Sequence, residues 1–196
     1  MSRNIFILNG HPGETSLSRQ FAERYHSAAQ SAGHTTRLMH IRDMAFDADH
    51  GQGGYADAKK LEPDLENTLN ALEWAQHIVL TTPMWWGGMP AMLKGLFDRT
   101  LVPGRTFDTR RTTAIGFPAP MLIGKSARVF MTSDTPDWFF QLIYGAAMQR
   151  QLKSQVFGFV GIKPTRFTHF APASHPKEGQ VDRWLETIAK LGAKGL

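Results

Sequence analysis

The sequence predicts an α/β protein of three layers: a five-stranded parallel sheet, strand order 2-1-3-4-5, with helices on both faces. Three observations predict it. Short apolar runs without alternation, such as Ile5-Phe6-Ile7-Leu8 and Ile78-Val79-Leu80, read as strands buried on both faces. Between them lie segments whose apolar residues recur every three or four places, the helical spacing. The two kinds of segment alternate along the chain, as crossover-linked parallel strands require. The 196 residues, 42% hydrophobic and 20% charged, suit a single domain over 1–196.

The elements follow in order. Residues 4–8 form the first strand. Residues 15–32 carry Leu17, Phe21, Tyr25 and Ala28 on one helical face, and Gly33 stops the helix. Residues 35–41 are the second strand, and the polar, glycine-rich residues 43–60 a long loop. Residues 63–75 are a helix and 76–82 the third strand. Residues 89–101 are a clear helix, with Pro90 in its first turn and Leu93, Leu96, Phe97 and Leu101 in one stripe. Residues 102–125, with three prolines and three glycines, hold a small hairpin or a lid. Residues 127–132 are the fourth strand. Met148, Leu152, Val156 and Val160 fall at every fourth place and predict one helix over 140–160. Residues 165–171 alternate and make the fifth strand; 181–191 close the chain as a helix.

Composition excludes several classes of function. There is no cysteine, hence no disulfide, thiol nucleophile or thiolate metal site, which fits a reducing cytoplasm. No apolar run approaches the roughly 18 residues of a membrane-spanning helix, and residues 1–10 lack a signal-peptide layout. Membrane insertion is therefore not expected. The net charge of +5 is scattered, with no long basic run. Nucleic acid is not expected as a partner, and a phosphate-bearing cofactor accounts for the charge as well.

In sheets of this order, ligands bind beyond the carboxyl ends of the strands, where strands one and three diverge. Three turns there are unusual. The first, NGHPGETSLSRQF from Asn9, gathers His11, Thr15, Ser16 and Ser18 at a helix N-terminus, where backbone N–H groups and the helix dipole favour an anion such as phosphate. A simple helix cap is the plain alternative, and the stretch is not a Walker loop. The second, TTPMWWGGMP from Thr81, sets Trp85 and Trp86 before Gly87 and Gly88. The glycines admit close approach of a flat ligand and the tryptophans offer a wall, unless they belong to the core or a dimer interface. The third, TSDTPDWFFQLIYG, ends strand four with Thr132 and Ser133 and continues into Trp138, Phe139, Phe140 and Tyr144. A ligand with a phosphate at one end and a planar ring at the other, such as flavin mononucleotide, uses all three. Gly51 to Ala56 matches G-x-G-x-x-A but follows no apolar strand. Asp47, Asp49 and His50 match no metal-ligand pattern, and no Ser-His-Asp arrangement is identifiable.

NGHPGETSLS (9–18), PMWWGGMPAMLKGLFDR (83–99) and MLIGKSARVFMTS (121–133) together resemble the flavodoxin-like NAD(P)H:quinone oxidoreductases, which include DT-diaphorase and shorter bacterial quinone reductases. The second stretch is the most specific. The resemblance implies a flavodoxin-like fold, a noncovalent FMN or FAD, and a homodimer with the active site at its interface. It implies that His11, Ser16, Leu17 and Ser18 surround the flavin phosphate. Pro83, Met84, Trp85, Trp86 and Gly87 then lie along the ring, with backbone N–H groups of Pro83, Met84, Trp86 and Gly87 at its N5 and O4 edge, and Thr132 and Ser133 lie near its pyrimidine end. Trp138 and Tyr144 stand where the family has a catalytic tyrosine and histidine; Trp138 has no phenol, whereas Tyr144 has one. The long C-terminal extension of the animal enzymes is absent, which leaves FMN at least as expected as FAD. The implied reaction passes a hydride from NAD(P)H through the flavin to a quinone or similar small-molecule acceptor. The rival readings are an electron-carrier flavodoxin, an accessory regulator of a potassium-efflux system, and a reductase of azo or nitro compounds.

Overall fold

Apolar side chains alternate between the two faces of strand β1 (Asn4–Asn9): Ile5 and Ile7 point into one core, Phe6 and Leu8 into the other. Burial on both faces places β1 inside the sheet, between β2 (Thr35–His40) and β3 (His77–Pro83). The computed structural model describes residues 2–51 and 59–196, so Gln52 to Ala56 of the G-x-G-x-x-A match lie outside the described residues. Two short strands, β4 (Phe107–Thr112) and β5 (Pro118–Pro120), pair only with each other, as an antiparallel hairpin within the expected hairpin-or-lid segment. With β6 (Ser126–Thr132) and β7 (Thr165–Phe170), the main sheet runs β2-β1-β3-β6-β7, all parallel. Counted without the hairpin, this is the expected order 2-1-3-4-5.

Helices α1 (Leu17–Ser31) and α7 (Gln180–Lys194) cover one face, packing Phe21, Tyr25 and Ile188 on Ile5, Ile7, Val79 and Phe130. The other face is covered by α2 (Pro63–Trp74), α3 (Ala91–Thr100) and the chain from Ala147 to Val160. The single helix expected over 140–160 is two pieces. A short α4 (Asp137–Leu142) ends before Gly145 and Ala146, both with positive φ, and the chain restarts as α5 (Ala147–Arg150). It continues as a π-helical stretch, Gln151–Phe157, then α6 (Gly158–Val160). The wider i→i+5 turn explains the spacing of every fourth residue. On a pure α-helix that stripe would drift around the axis; here Met148, Leu152, Val156 and Val160 are all buried in one core.

Helix α3 anchors the loop that precedes α2. Gly95 leaves room for Ala48, whose Cβ lies 2.5 Å from where a Gly95 Cβ would stand. One turn on, the buried Arg99 donates to the carbonyls of Asp47 and Lys60 and pairs with the Glu62 carboxylate at 2.8 Å. Asp47 and Asp49 meanwhile hold Lys59 at 2.7 and 2.8 Å.

Two outcomes follow from these contacts. Arg99→Met strands the two carbonyls and Glu62, and is expected to cost about 3 kcal/mol of stability, read from urea unfolding. His77, buried at the start of β3, has its pKa pushed down to about 4 by burial, against an ordinary 6.5. The unfolded chain therefore binds a proton first, and stability present above pH 6.5 is lost as pH falls toward 4. The loss is about 3 kcal/mol and is absent from the pH profile of His77→Gln.

Candidate functional site

Three loops leave the carboxyl edge of the sheet side by side. Register places Asn9 opposite Thr81, Pro83 opposite Thr132 and Thr132 opposite Phe170. The first loop enters α1 through Ser16, whose Oγ accepts from the Arg19 N–H at 3.0 Å. The N–H groups of Leu17 and Ser18 belong to the first turn and have no acceptor inside the helix. Both residues line a pocket of about 250 Å³ with His11, Thr15, Ser16, Pro83 and Thr132. The Ser18 Oγ is buried there without a hydrogen-bond partner. Such an orphan costs on the order of 1–3 kcal/mol until something pairs with it. His11 is held neutral by partial burial, which lowers its pKa. Its Nδ1 accepts from the Gly13 N–H at 2.9 Å, so the ring proton sits on Nε2, free to donate.

The second loop is a tight turn. The Trp85 N–H donates to the Gly88 carbonyl at 2.9 Å, and the Gly88 N–H to the Trp85 carbonyl at 3.0 Å. Trp86 and Gly87 between them have φ of 52° and 78°, the pattern of a type I′ turn. A Cβ on Gly87 would meet no atom within 4 Å, so this position requires glycine for its backbone angle rather than for space. Trp86 has a left-handed backbone that a bulky residue adopts only under strain, and its side chain is fully exposed. Trp85, half-exposed, meets His11 edge-on at 5.4 Å and so links this turn to the first.

The backbone donors differ from those the resemblance implies. Pro83 has no N–H. The Met84 N–H is engaged with the Thr132 carbonyl at 2.7 Å, which ties β3 to β6. The unengaged donors of the turn, among the described residues, are the N–H groups of Trp86 and Gly87.

The third loop completes a cleft of about 680 Å³, lined by Met84, Trp86, Gly87, Ser133, Thr135 and Tyr144 among others. It shares Met84, Ser133 and Asp134 with the smaller pocket, so the two adjoin. The buried Thr132 lies in the smaller one. Tyr144 is half-exposed and packs edge-on against Phe139, as does Trp138 from another side, at 5.0 and 5.5 Å. Only Tyr144 of these three lines the cleft; Trp138 stands outside its wall.

Sequence reasoning missed one cluster. The Ser133 Oγ is 2.8 Å from His169 Nε2, and His169 Nδ1 is 2.9 Å from the Asp137 carboxylate. A Ser-His-Asp arrangement is therefore present. Its members come from the end of β6, from β7 and from α4, and no sequence spacing announces it. Asp134 was missed as well: it accepts from the Ser174 N–H and hydroxyl, both at 2.7 Å, and these bonds hold its carboxyl below the usual range.

The comparisons with known proteins agree with this architecture. A Haemophilus influenzae protein named as an uncharacterized NAD(P)H oxidoreductase is 26% identical over 85% of this chain and 83% of its own. An FMN-dependent NADH:quinone oxidoreductase of Stenotrophomonas maltophilia is 26% identical over 91% of this chain and 89% of its own. The solved NAD(P)H:quinone oxidoreductase from Methanothermobacter marburgensis superposes with a TM-score of 0.78 over 99% of this chain and 96% of its own, at 22% identity, which is a likeness of fold. A family model described as flavodoxin-like fold matches residues 3–191. By its sheet order, by the site at the carboxyl edge and by this match, the chain belongs to the flavodoxin-like fold family.

Proposed function

We propose that this protein is an FMN-dependent NAD(P)H:quinone oxidoreductase. The observation that carries the reading is a pair of adjoining pockets of different chemistry at one edge of the sheet. One offers free helix N–H groups and the orphaned Ser18 hydroxyl, which suit a phosphate. The other is a wide slot bounded by the Trp86–Gly87 turn, which suits a planar ring. The names of the relatives support the same cofactor and acceptor class.

The residues divide the work. Leu17 and Ser18 N–H, the Ser16 and Ser18 hydroxyls and His11 Nε2–H would hold the phosphate. Met84 and Trp86 would border the ring, with the Trp86 and Gly87 N–H groups as donors toward its edge and Ser133 beside it, while Trp85 and Thr132 line the smaller pocket. Bound FMN supplies hydride exchange between a nicotinamide and an acceptor. Tyr144 presents a phenol to the cleft, and its O–H is the donor we assign to oxygen that gains charge there. Trp86 and Tyr144 shape the slot that nicotinamide and quinone occupy in turn. Among the described residues no helix is long and apolar enough to cross a membrane, and we place the protein in the cytoplasm. Ile115 and Phe117 on the hairpin, with Leu142 at the end of α4 and Ile143 after it, are exposed apolar side chains. We assign them to a homodimer interface.

The first test is an absorbance spectrum. Protein mixed with FMN and freed of excess is expected to stay yellow, to bleach within seconds of anaerobic NADH or NADPH, and to recolour with a quinone. A retained flavin that ignores both nicotinamides overturns the reductase reading. Gly87→Val forces a β-branched residue to φ 78° and is expected to weaken FMN binding at least about tenfold, measured by fluorescence titration. Trp86→Asn relieves the left-handed strain. It is expected to raise stability by about 0.5–1 kcal/mol in chemical denaturation while lowering FMN affinity.

A further inference from the structure

Of the Ser133, His169 and Asp137 cluster, the function proposed above uses Ser133 alone and gives His169 and Asp137 no part. The geometry of the cluster is well defined. The His169 side chain is 3% exposed, between Asp137 and the edge of Phe140. The carboxylate accepts from Nδ1–H, which fixes the tautomer and leaves the Nε2 lone pair to accept the Ser133 hydroxyl. Ser133 Oγ also accepts from the Thr135 N–H at 3.2 Å, and Ser133 lines both pockets. The Ser133 N–H is bound to the Phe170 carbonyl at 3.2 Å. Both of these N–H groups are engaged.

We propose that Ser133, His169 and Asp137 form a proton relay that compensates negative charge developing in the cleft; this rests on the flavin reading. At rest Ser133 gives its hydrogen to Nε2 at 2.8 Å in preference to the Thr135 carbonyl at 3.3 Å, and shows the cleft a lone pair. When a ligand in the cleft gains negative charge, a solvent proton reaches Ser133 Oγ as Ser133 passes its own to Nε2. No bond to the ligand forms or breaks, and one proton moves from solvent to the imidazole. His169 then donates to Ser133 and stands as a cation against Asp137, while Ser133 turns its hydroxyl hydrogen toward the cleft. Thus Ser133 is an acceptor before reduction and a donor after it. His169 and Asp137 act through Ser133 and are positioning residues. The other titratable groups on the neighbouring loops are Asp134 after β6, tied to Ser174, and His175, which acts on Asp134. Arg128 and Arg166 face each other three residues back along β6 and β7.

The test compares the affinities of oxidised FMN and of chemically reduced FMN, without air, from pH 6 to 8, together with the protons taken up on binding. Wild type, Ser133→Ala, His169→Gln and Asp137→Asn are measured. Asp137 is largely exposed, so Asp137→Asn stays folded even where His169→Gln does not. Each variant is expected to lose on the order of tenfold in affinity for reduced relative to oxidised FMN and to lose the proton uptake. The Ser133→Ala/His169→Gln double variant is expected to lose no more than either single one. Imidazole NMR of the ligand-free protein is expected to place the His169 proton on Nδ1. If oxidised FMN binds tightly and His169→Gln and Asp137→Asn keep the wild-type ratio and proton uptake, the relay is overturned and the flavin site stands. If wild type binds neither form of FMN, the flavin reading itself falls.

Discussion

Parallel register is the constraint on which the rest of the structure depends. Because Pro83 lies opposite Thr132 and Thr132 opposite Phe170, three strands end together and their loops share one edge. A slip of one residue would turn every side chain of a strand to the other face. Burial on both faces of β1 and β3 makes such a slip costly, since two cores would lose their packing at once. The bond from the Met84 N–H to the Thr132 carbonyl extends this register one step past the end of β3. It brings the tryptophan turn beside the end of β6.

The fold was legible because its signals are local. The runs Ile5 to Leu8 and Ile78 to Leu80 need no partner to announce a buried strand, and Pro90 and Gly33 mark helix ends by their own backbone geometry. The helix over 140–160 was misread because a stripe at every fourth place fits an α-helix roughly and a mixed α/π-helix well. Its break at Gly145 and Ala146 has no proline to signal it. In the site, Ser16, Ser18 and Gly87 were readable from turn and cap chemistry. The pairing of Ser133 with His169 was not, because only the sheet brings residues so far apart in sequence to 2.8 Å.

Local strain collects where the three loops meet. Trp86 holds an angle that a bulky side chain avoids, and Ser18 buries a hydroxyl without a partner. Other segments are locally consistent: Gly95 admits the loop that Arg99 then binds, and Lys59 sits between two carboxylates. Ala146 is a further left-handed residue, and His77 Nε2 and Arg128 Nε are further buried atoms without a partner. Natural sequences relax their internal consistency mainly at functional places, and Trp86 and Ser18 line the two adjoining pockets.

The small pocket contains neither lysine nor arginine among its lining residues, although the chain as a whole carries a net charge of +5. An anion there meets helix N–H groups, hydroxyls and a neutral imidazole, with the Asp134 carboxylate, tied to Ser174, on the same wall. Mobile ions screen attraction between separated full charges over roughly 8–10 Å at physiological strength, and they have little purchase on short, buried hydrogen bonds. Retention of a phosphate ester by such a pocket is therefore largely indifferent to salt. A net charge of +5 over the whole chain would add only a separate, salt-sensitive attraction for anionic molecules at longer range.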